Sequence, residues 1–145
     1  YGRDMREQGH GRILNISSVA SMMAGPYMAI YFASKAFVRS LSEAVSYELR
    51  DTGVSVTCVC PGPTSTGFAK AANMRGINFF TLTKPATAYQ LATYAYRKMK
   101  QGRTLAYHGY LTKAGAAAER LLPRALTRRV AAIMNGGNPR NQHRE

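Results

Sequence analysis

The 145 residues, 46% of them hydrophobic, suit one domain with a single core. The longest apolar run, Met22 to Ala33, breaks at Gly25-Pro26 and is too short to span a bilayer, and the polar first residues hold no secretory signal. The net charge of +13 is uneven, with six Lys/Arg against five Asp/Glu in residues 1–60 and fourteen against two in residues 61–145.

In chain order, residues up to about Gln8 read as the end of a helix stopped by Gly9 and Gly11. Arg12 to Ser17 is a short, nearly continuous apolar strand of the kind buried in a parallel sheet. A loop of small residues and methionines follows to Pro26. A long amphipathic helix is predicted from about Tyr27 to Asp51, with Ile30, Ala33, Phe37, Leu41, Val45 and Leu49 as one apolar stripe and Gly53 as its stop. Val54 to Cys60 is a second buried strand, ended by Pro61-Gly62-Pro63, and strand, helix, strand in this order predicts a parallel crossover.

Thr66 to Phe80 lacks a clear period and suits a mobile lid. Pro85 is expected to open a helix closed by Gly102, followed by a weak strand at Thr104–Tyr107 and helical segments at Thr112–Leu122 and Arg124–Asn135. Residues from Gly136 onward should fray. Three strands are too few to close a parallel sheet, so the chain is expected to be part of a larger α/β unit. An opening Tyr in place of Met points the same way.

Cys58 and Cys60 alternate along the second strand and should share one face as small core residues, in keeping with a reducing cytoplasm. His10, His108 and His143 have no partners at metal-ligand spacing, so no metal site is expected and each reads as a surface or loop residue.

The chemistry-bearing feature is Tyr31 and Lys35, one helical turn apart, with Ser18 thirteen residues before Tyr31 at a strand end. A phenol titrating near ~10 is a poor acid/base at neutral pH unless a neighbouring cation favours its ionised form. A hydroxyl opposite could hold a substrate oxygen during proton transfer. Spacing alone is weak, because Tyr94–Lys98 and Tyr96–Lys100 repeat it. No buried strand leads into Thr81 or Thr83 upstream of them, and these pairs read as an exposed helix face.

Gly11-Arg-Ile-Leu-Asn-Ile-Ser-Ser18, Tyr31-x-Ala-Ser-Lys-Ala36 and Pro61-Gly-Pro-Thr-Ser-Thr66, in this order, resemble the second half of a short-chain dehydrogenase/reductase. The resemblance implies an α/β fold, the C-terminal part of a Rossmann-like doubly wound parallel sheet whose N-terminal βαβ units are missing. Residues 1–110 would be the truncated NAD(P)-binding domain and 111–145 a C-terminal helical extension and tail.

It further implies hydride transfer between NAD or NADP and a carbonyl/alcohol pair. Tyr31 would be the acid/base. Lys35 would hold the nicotinamide ribose and depress the Tyr31 pKa, and Ser18 would position the substrate, with Ser17 the less favoured choice by spacing. Pro61 and Gly62 would shape the turn under the nicotinamide, and Thr64 and Thr66 would hold its carboxamide. Met22, Met23, Tyr27 and Phe68 would line an apolar, adaptable pocket for a lipophilic substrate, with core packing as the alternative for them.

By the same resemblance, the Phe37–Leu49 helix would pack on a second subunit of a homo-oligomer. The glycine-rich pyrophosphate turn is absent, so these residues alone are expected to bind little cofactor and to be inactive. The rival expectation is a non-enzymatic protein whose Arg120, Arg124, Arg128 and Arg129 meet nucleic acid or an anionic membrane. A solvated basic face is the plainer reading of those charges.

Overall fold

A computed structural model describes residues 1–65, 85–119 and 121–135. The elements in order are α1 (Gly2–Glu7), β1 (Gly11–Ile16), a 3-10 turn (Val19–Met22), α2 (Ala29–Glu48), β2 (Val54–Pro61) and β3 (Thr64–Ser65). They continue with β4 (Ala86–Thr87), α3 (Ala88–Lys100), β5 (Leu105–His108), α4 (Tyr110–Glu119) and α5 (Arg124–Met134). Strands β1, β2 and β5 form a parallel sheet in the order β1-β2-β5, with Gly11 opposite Val54, Ile16 opposite Val59 and Pro61 opposite His108. A small parallel pair, β3 with β4, is an element that the sequence did not announce.

Alternation along β1 and β2 sends successive side chains to opposite helices. Leu14 and Val59 join Leu91, Tyr94 and Ala95 of α3 and Ala106 of β5 in one apolar cluster. On the other face Asn15 donates to Ser42 Oγ of α2 at 2.9 Å, and Ser42 donates to the Val38 carbonyl at 2.6 Å. Ser46 of α2 shares a hydrogen bond of 2.9 Å with Thr104. The sheet is thus covered on both faces, as a parallel sheet requires.

The apolar stripe expected along α2 does not lie against the sheet. Ile30 is 88% exposed, Phe37 66% and Leu41 46%, whereas Ser42 is completely buried. Small hydroxyl side chains let α2 approach β1 and β2, and they satisfy one another there, which frees the apolar stripe to face outward.

Helix α3 begins at Ala88 and not at Pro85, because Thr87 and Gln90 close a reciprocal capping box. Gly102 follows the cap of α3 with φ 63°, whereas α2 stops at Glu48, capped by Leu49, short of the expected Asp51, and Gly53, with φ 75°, makes the turn into β2 instead of ending the helix. Helices α4 and α5 fold back on the β1–α2 connection. Glu119 pairs with Arg39 at 3.6 Å, and Asn135 Nδ2 donates to the Pro26 carbonyl at 2.9 Å.

Within the sheet, Thr57 is fully buried and its hydroxyl has no hydrogen-bond partner among the described residues. A buried hydroxyl left unpaired costs about 1–3 kcal/mol. Thr57→Val keeps the shape and removes the polar atom, so urea denaturation should show stability raised by roughly 1 kcal/mol. An unchanged or lower midpoint would mean that the hydroxyl is satisfied.

Candidate active site

The parallel sheet brings the carboxyl ends of β1 and β2 side by side, and α2 starts above the same edge. In open α/β sheets, ligands bind at such edges. Ser18 follows the last residues of β1 and is nine-tenths buried. Its Oγ accepts from Ala20 N at 3.1 Å and caps the 3-10 turn, which leaves the hydroxyl proton available for donation. Ser21 Oγ donates to the Ser18 carbonyl at 2.6 Å, so the turn is fixed from both sides of Ser18. Ser17, one residue earlier, is buried and donates its hydroxyl to the Lys35 carbonyl at 2.7 Å. Ser17 therefore ties α2 to the end of β1, while the Ser18 hydroxyl is engaged only as the cap of the 3-10 turn.

Tyr31 and Lys35 occupy the first two turns of α2. Lys35 Nζ stands 5.9 Å from the Tyr31 ring centroid and donates to the Ile16 carbonyl at 3.2 Å. The ring of Phe32 meets that of Tyr31 edge-on, with centroids 6.0 Å apart. Lys35 thereby meets the end of β1, so the ammonium, the phenol one turn before it and Ser18 are supplied by two segments, the start of α2 and the end of β1.

The repeated spacings in α3 behave differently. Tyr94 is half-buried, not on an exposed face as expected, and its hydroxyl donates to the Tyr107 carbonyl at 2.8 Å. Burial pushes its pKa up. Lys98 donates to Gln101, and Tyr96 is 60% exposed. His108, expected as a surface or loop residue, ends β5 half-buried with its ring 4.8 Å from that of Tyr94. Burial, and then the Lys113 charge, hold its pKa below the usual histidine value, so it is neutral at pH 7.

Pro61 ends β2 in the buried layer. A Cβ at Gly62 would lie 2.6 Å from Thr112 Oγ1 of α4, so glycine here admits α4 as well as shaping the turn. Thr64 begins β3, and its hydroxyl donates to the Gly62 carbonyl at 3.1 Å. Thr66, Phe68, the stretch read as a lid and Arg120 lie outside the described residues.

Met22 and Met23 line a cavity of about 530 Å3 with Pro26, Phe32 and Arg124, which none of Ser18, Tyr31 and Lys35 borders. Tyr27 is 56% exposed and holds φ 67°, the left-handed region. It occupies the third position of a turn closed by Met28 N to the Gly25 carbonyl at 3.2 Å, with Pro26 before it. Glycine is the usual residue at that place, so a tyrosine there holds local strain.

Cys58 and Cys60 are both free and fully buried on the α2 face. Contact with Cys58, and then the Arg39 charge, lower the Cys60 thiol against the effect of burial, and Ser21 Oγ lies 3.8 Å from its sulfur. The same contact pushes Cys58 up. Among the described residues no cluster of His, Cys, Asp or Glu could hold a metal ion, and no helix is long and apolar enough to cross a membrane.

Ser21, Ser42, Glu119 and Asn135 escaped the sequence reading. Each also meets a partner distant in the chain, Cys60, Asn15, Arg39 and Pro26 respectively, and no local pattern signals those contacts.

The family model described as "short chain dehydrogenase" matches residues 2–75, just over half of the chain. The chain belongs to the short chain dehydrogenase family. A D-beta-hydroxybutyrate dehydrogenase of Rhizobium meliloti is 38% identical over 58 residues, 40% of this chain and 22% of that protein. A 3-oxoacyl-[acyl-carrier-protein] reductase of Synechocystis is 42% identical over 73 residues, 50% of this chain and 30% of its own length. A short-chain dehydrogenase from Sphingobium yanoikuyae, solved in complex with NADPH, superposes with TM-score 0.66 at 25% identity, covering 87% of this chain and 48% of that one. The chain therefore spans under a third of these two curated relatives and about half of that solved dehydrogenase. Its α/β architecture with a parallel sheet is that of the short chain dehydrogenases.

Proposed function

We propose that this chain carries the acid/base half of a nicotinamide-dependent oxidoreductase acting on a carbonyl/alcohol pair. The observation that carries the reading is Tyr31 and Lys35 on the first turns of α2 beside Ser18 at the carboxyl end of β1. The donor set suits a nicotinamide nucleoside. The Lys35 ammonium would take the ribose hydroxyls in place of the Ile16 carbonyl, and the turn after β2 offers backbone to the carboxamide. NAD or NADP supplies or accepts the hydride when bound. Tyr31 then gives its proton to the substrate oxygen in reduction and takes it in oxidation, while Ser18 holds that oxygen by donating its hydroxyl. The β1 edge opposite β2 is free among the described residues, and there the strands of a pyrophosphate-binding half would add in the full-length protein.

A screen of the full-length protein with NADH and NADPH against ketones of increasing alkyl length tests this reading. Turnover should appear with one cofactor, and Ser18→Ala should lower kcat by about 10²-fold, as loss of one oxygen-binding donor does. Ser18→Ala turning over at the parent rate would remove Ser18 from the site.

The outward stripe of Ile30, Phe37 and Leu41 on α2 supports a homo-oligomer. Phe37→Glu should convert the full-length protein from an oligomer to a smaller species in sedimentation. A wild-type protein that sediments only as a monomer contradicts this.

A basic interfacial helix is the second reading. In α5, Thr127 and Ala131 are buried, while Leu126, Val130 and Ile133 are 46%, 44% and 59% exposed beside Arg129. Vesicle binding that falls steeply with salt would favour it.

A further inference from the structure

The methionine-lined cavity lies between the 3-10 turn, α2 and the C-terminal helices. Its wall is apolar, from Met22, Met23, Pro26 and Phe32, and its volume of about 530 Å3 falls within the roughly 300–1,000 Å3 of small-molecule sites. A second hollow of about 630 Å3 shares Met22, Met23 and Arg124 with it and adds Arg128. The two guanidiniums stand one turn apart in the first turns of α5, whose N-terminal end itself favours negative charge. Glu119, which also borders the cavity, is taken by Arg39 at 3.6 Å. No carboxylate among the described residues pairs with Arg124 or Arg128.

We infer that this cavity is a second binding site, for an amphiphilic anion: an acyl chain against the methionines and a carboxylate headgroup on Arg124 and Arg128. Flexible thioethers adapt to a chain of variable length, and a guanidinium pair matches a carboxylate in shape and charge. A cationic or neutral amphiphile of the same length lacks that match. The site does not depend on hydride transfer, since none of Ser18, Tyr31 and Lys35 lines it. It does touch the catalytic turn, because Met22 and Met23 follow Ser21, whose hydroxyl holds the Ser18 carbonyl.

The test is methyl NMR of the full-length protein labelled at its methionine methyls, with Met22→Leu and Met23→Leu assigning the two signals. Decanoate is titrated below its micellar concentration, with decyltrimethylammonium and decanol as controls. Saturable shifts at Met22 and Met23 are expected. Decanoate should bind about tenfold more tightly than either control, and Arg124→Gln/Arg128→Gln should abolish that preference, on the scale of a charge-assisted contact. No saturable shift, equal binding of the three probes, or a double variant that keeps the preference would overturn the inference. A catalytically inactive Tyr31→Phe protein should still show the shifts, so failure here is separable from failure of the hydride-transfer reading.

Discussion

Tyr31→Phe should lower turnover of the full-length protein by about 10²–10⁴-fold, the usual range for losing a positioned acid/base, while cofactor binding changes little. The substitution keeps the ring, and with it the edge-on contact to Phe32 and the place above which Lys35 stands. Lys35 remains on α2, steadied by the Ser17 bond to its carbonyl. The hydroxyl that would move the proton is lost. Tyr94→Phe is the control within the same chain. It removes a hydrogen bond to the Tyr107 carbonyl and should cost about 1 kcal/mol of stability with no loss of turnover. Single-turnover kinetics and urea denaturation on both variants separate the two effects. A Tyr31→Phe protein retaining a tenth or more of the parent rate would assign the proton transfer elsewhere.

Gly53→Ala should be the most damaging small substitution in the fold. Gly53 holds φ 75°, and a Cβ there would meet the Gly9 carbonyl oxygen inside contact distance. Both partners are backbone, so no side chain can swing aside. The left-handed conformation costs about 1–2 kcal/mol and the overlap about 1–3 kcal/mol more. That is a large share of a stability of ~5–15 kcal/mol. Relief requires moving the start of β2, where Val54 pairs with Gly11, and so shifts the strand that ends at Pro61 beneath the site. Gly102→Ala meets only Ser55 Cβ at 4.0 Å and should cost only the left-handed penalty of about 1–2 kcal/mol. Equal urea midpoints for the two variants would show that the Gly9–Gly53 approach is not limiting.

The strands and α2 were legible because buried parallel strands are written as continuous apolar runs and because Gly53 punctuates the return. The positions of Ser18 after a strand end and of Tyr31 and Lys35 at a helix start were legible because a strand end, a helix start and a Pro-Gly turn follow in a fixed order. Which face of α2 turns inward was not. The apolar residues Ile30, Phe37 and Leu41 mark an outward surface, and the inward one is written in Ser42 and Ser46, whose partners Asn15 and Thr104 lie far away in the chain. The start of α3 was misplaced because Pro85 drew the reading from the Thr87–Gln90 capping box. The Asn135 bond to Pro26 and the Arg39–Glu119 pair, which hold two residues of the methionine cavity's wall, join residues whose separation leaves no local signature.

A crystal structure of the full-length protein with bound NAD(P) tests the central assignment most directly. Lys35 Nζ is expected to leave the Ile16 carbonyl and to donate to the nicotinamide ribose hydroxyls within about 3.2 Å, with the nicotinamide between the Tyr31 hydroxyl and the turn after β2. A cofactor seated elsewhere, with Lys35 still on Ile16, would contradict it.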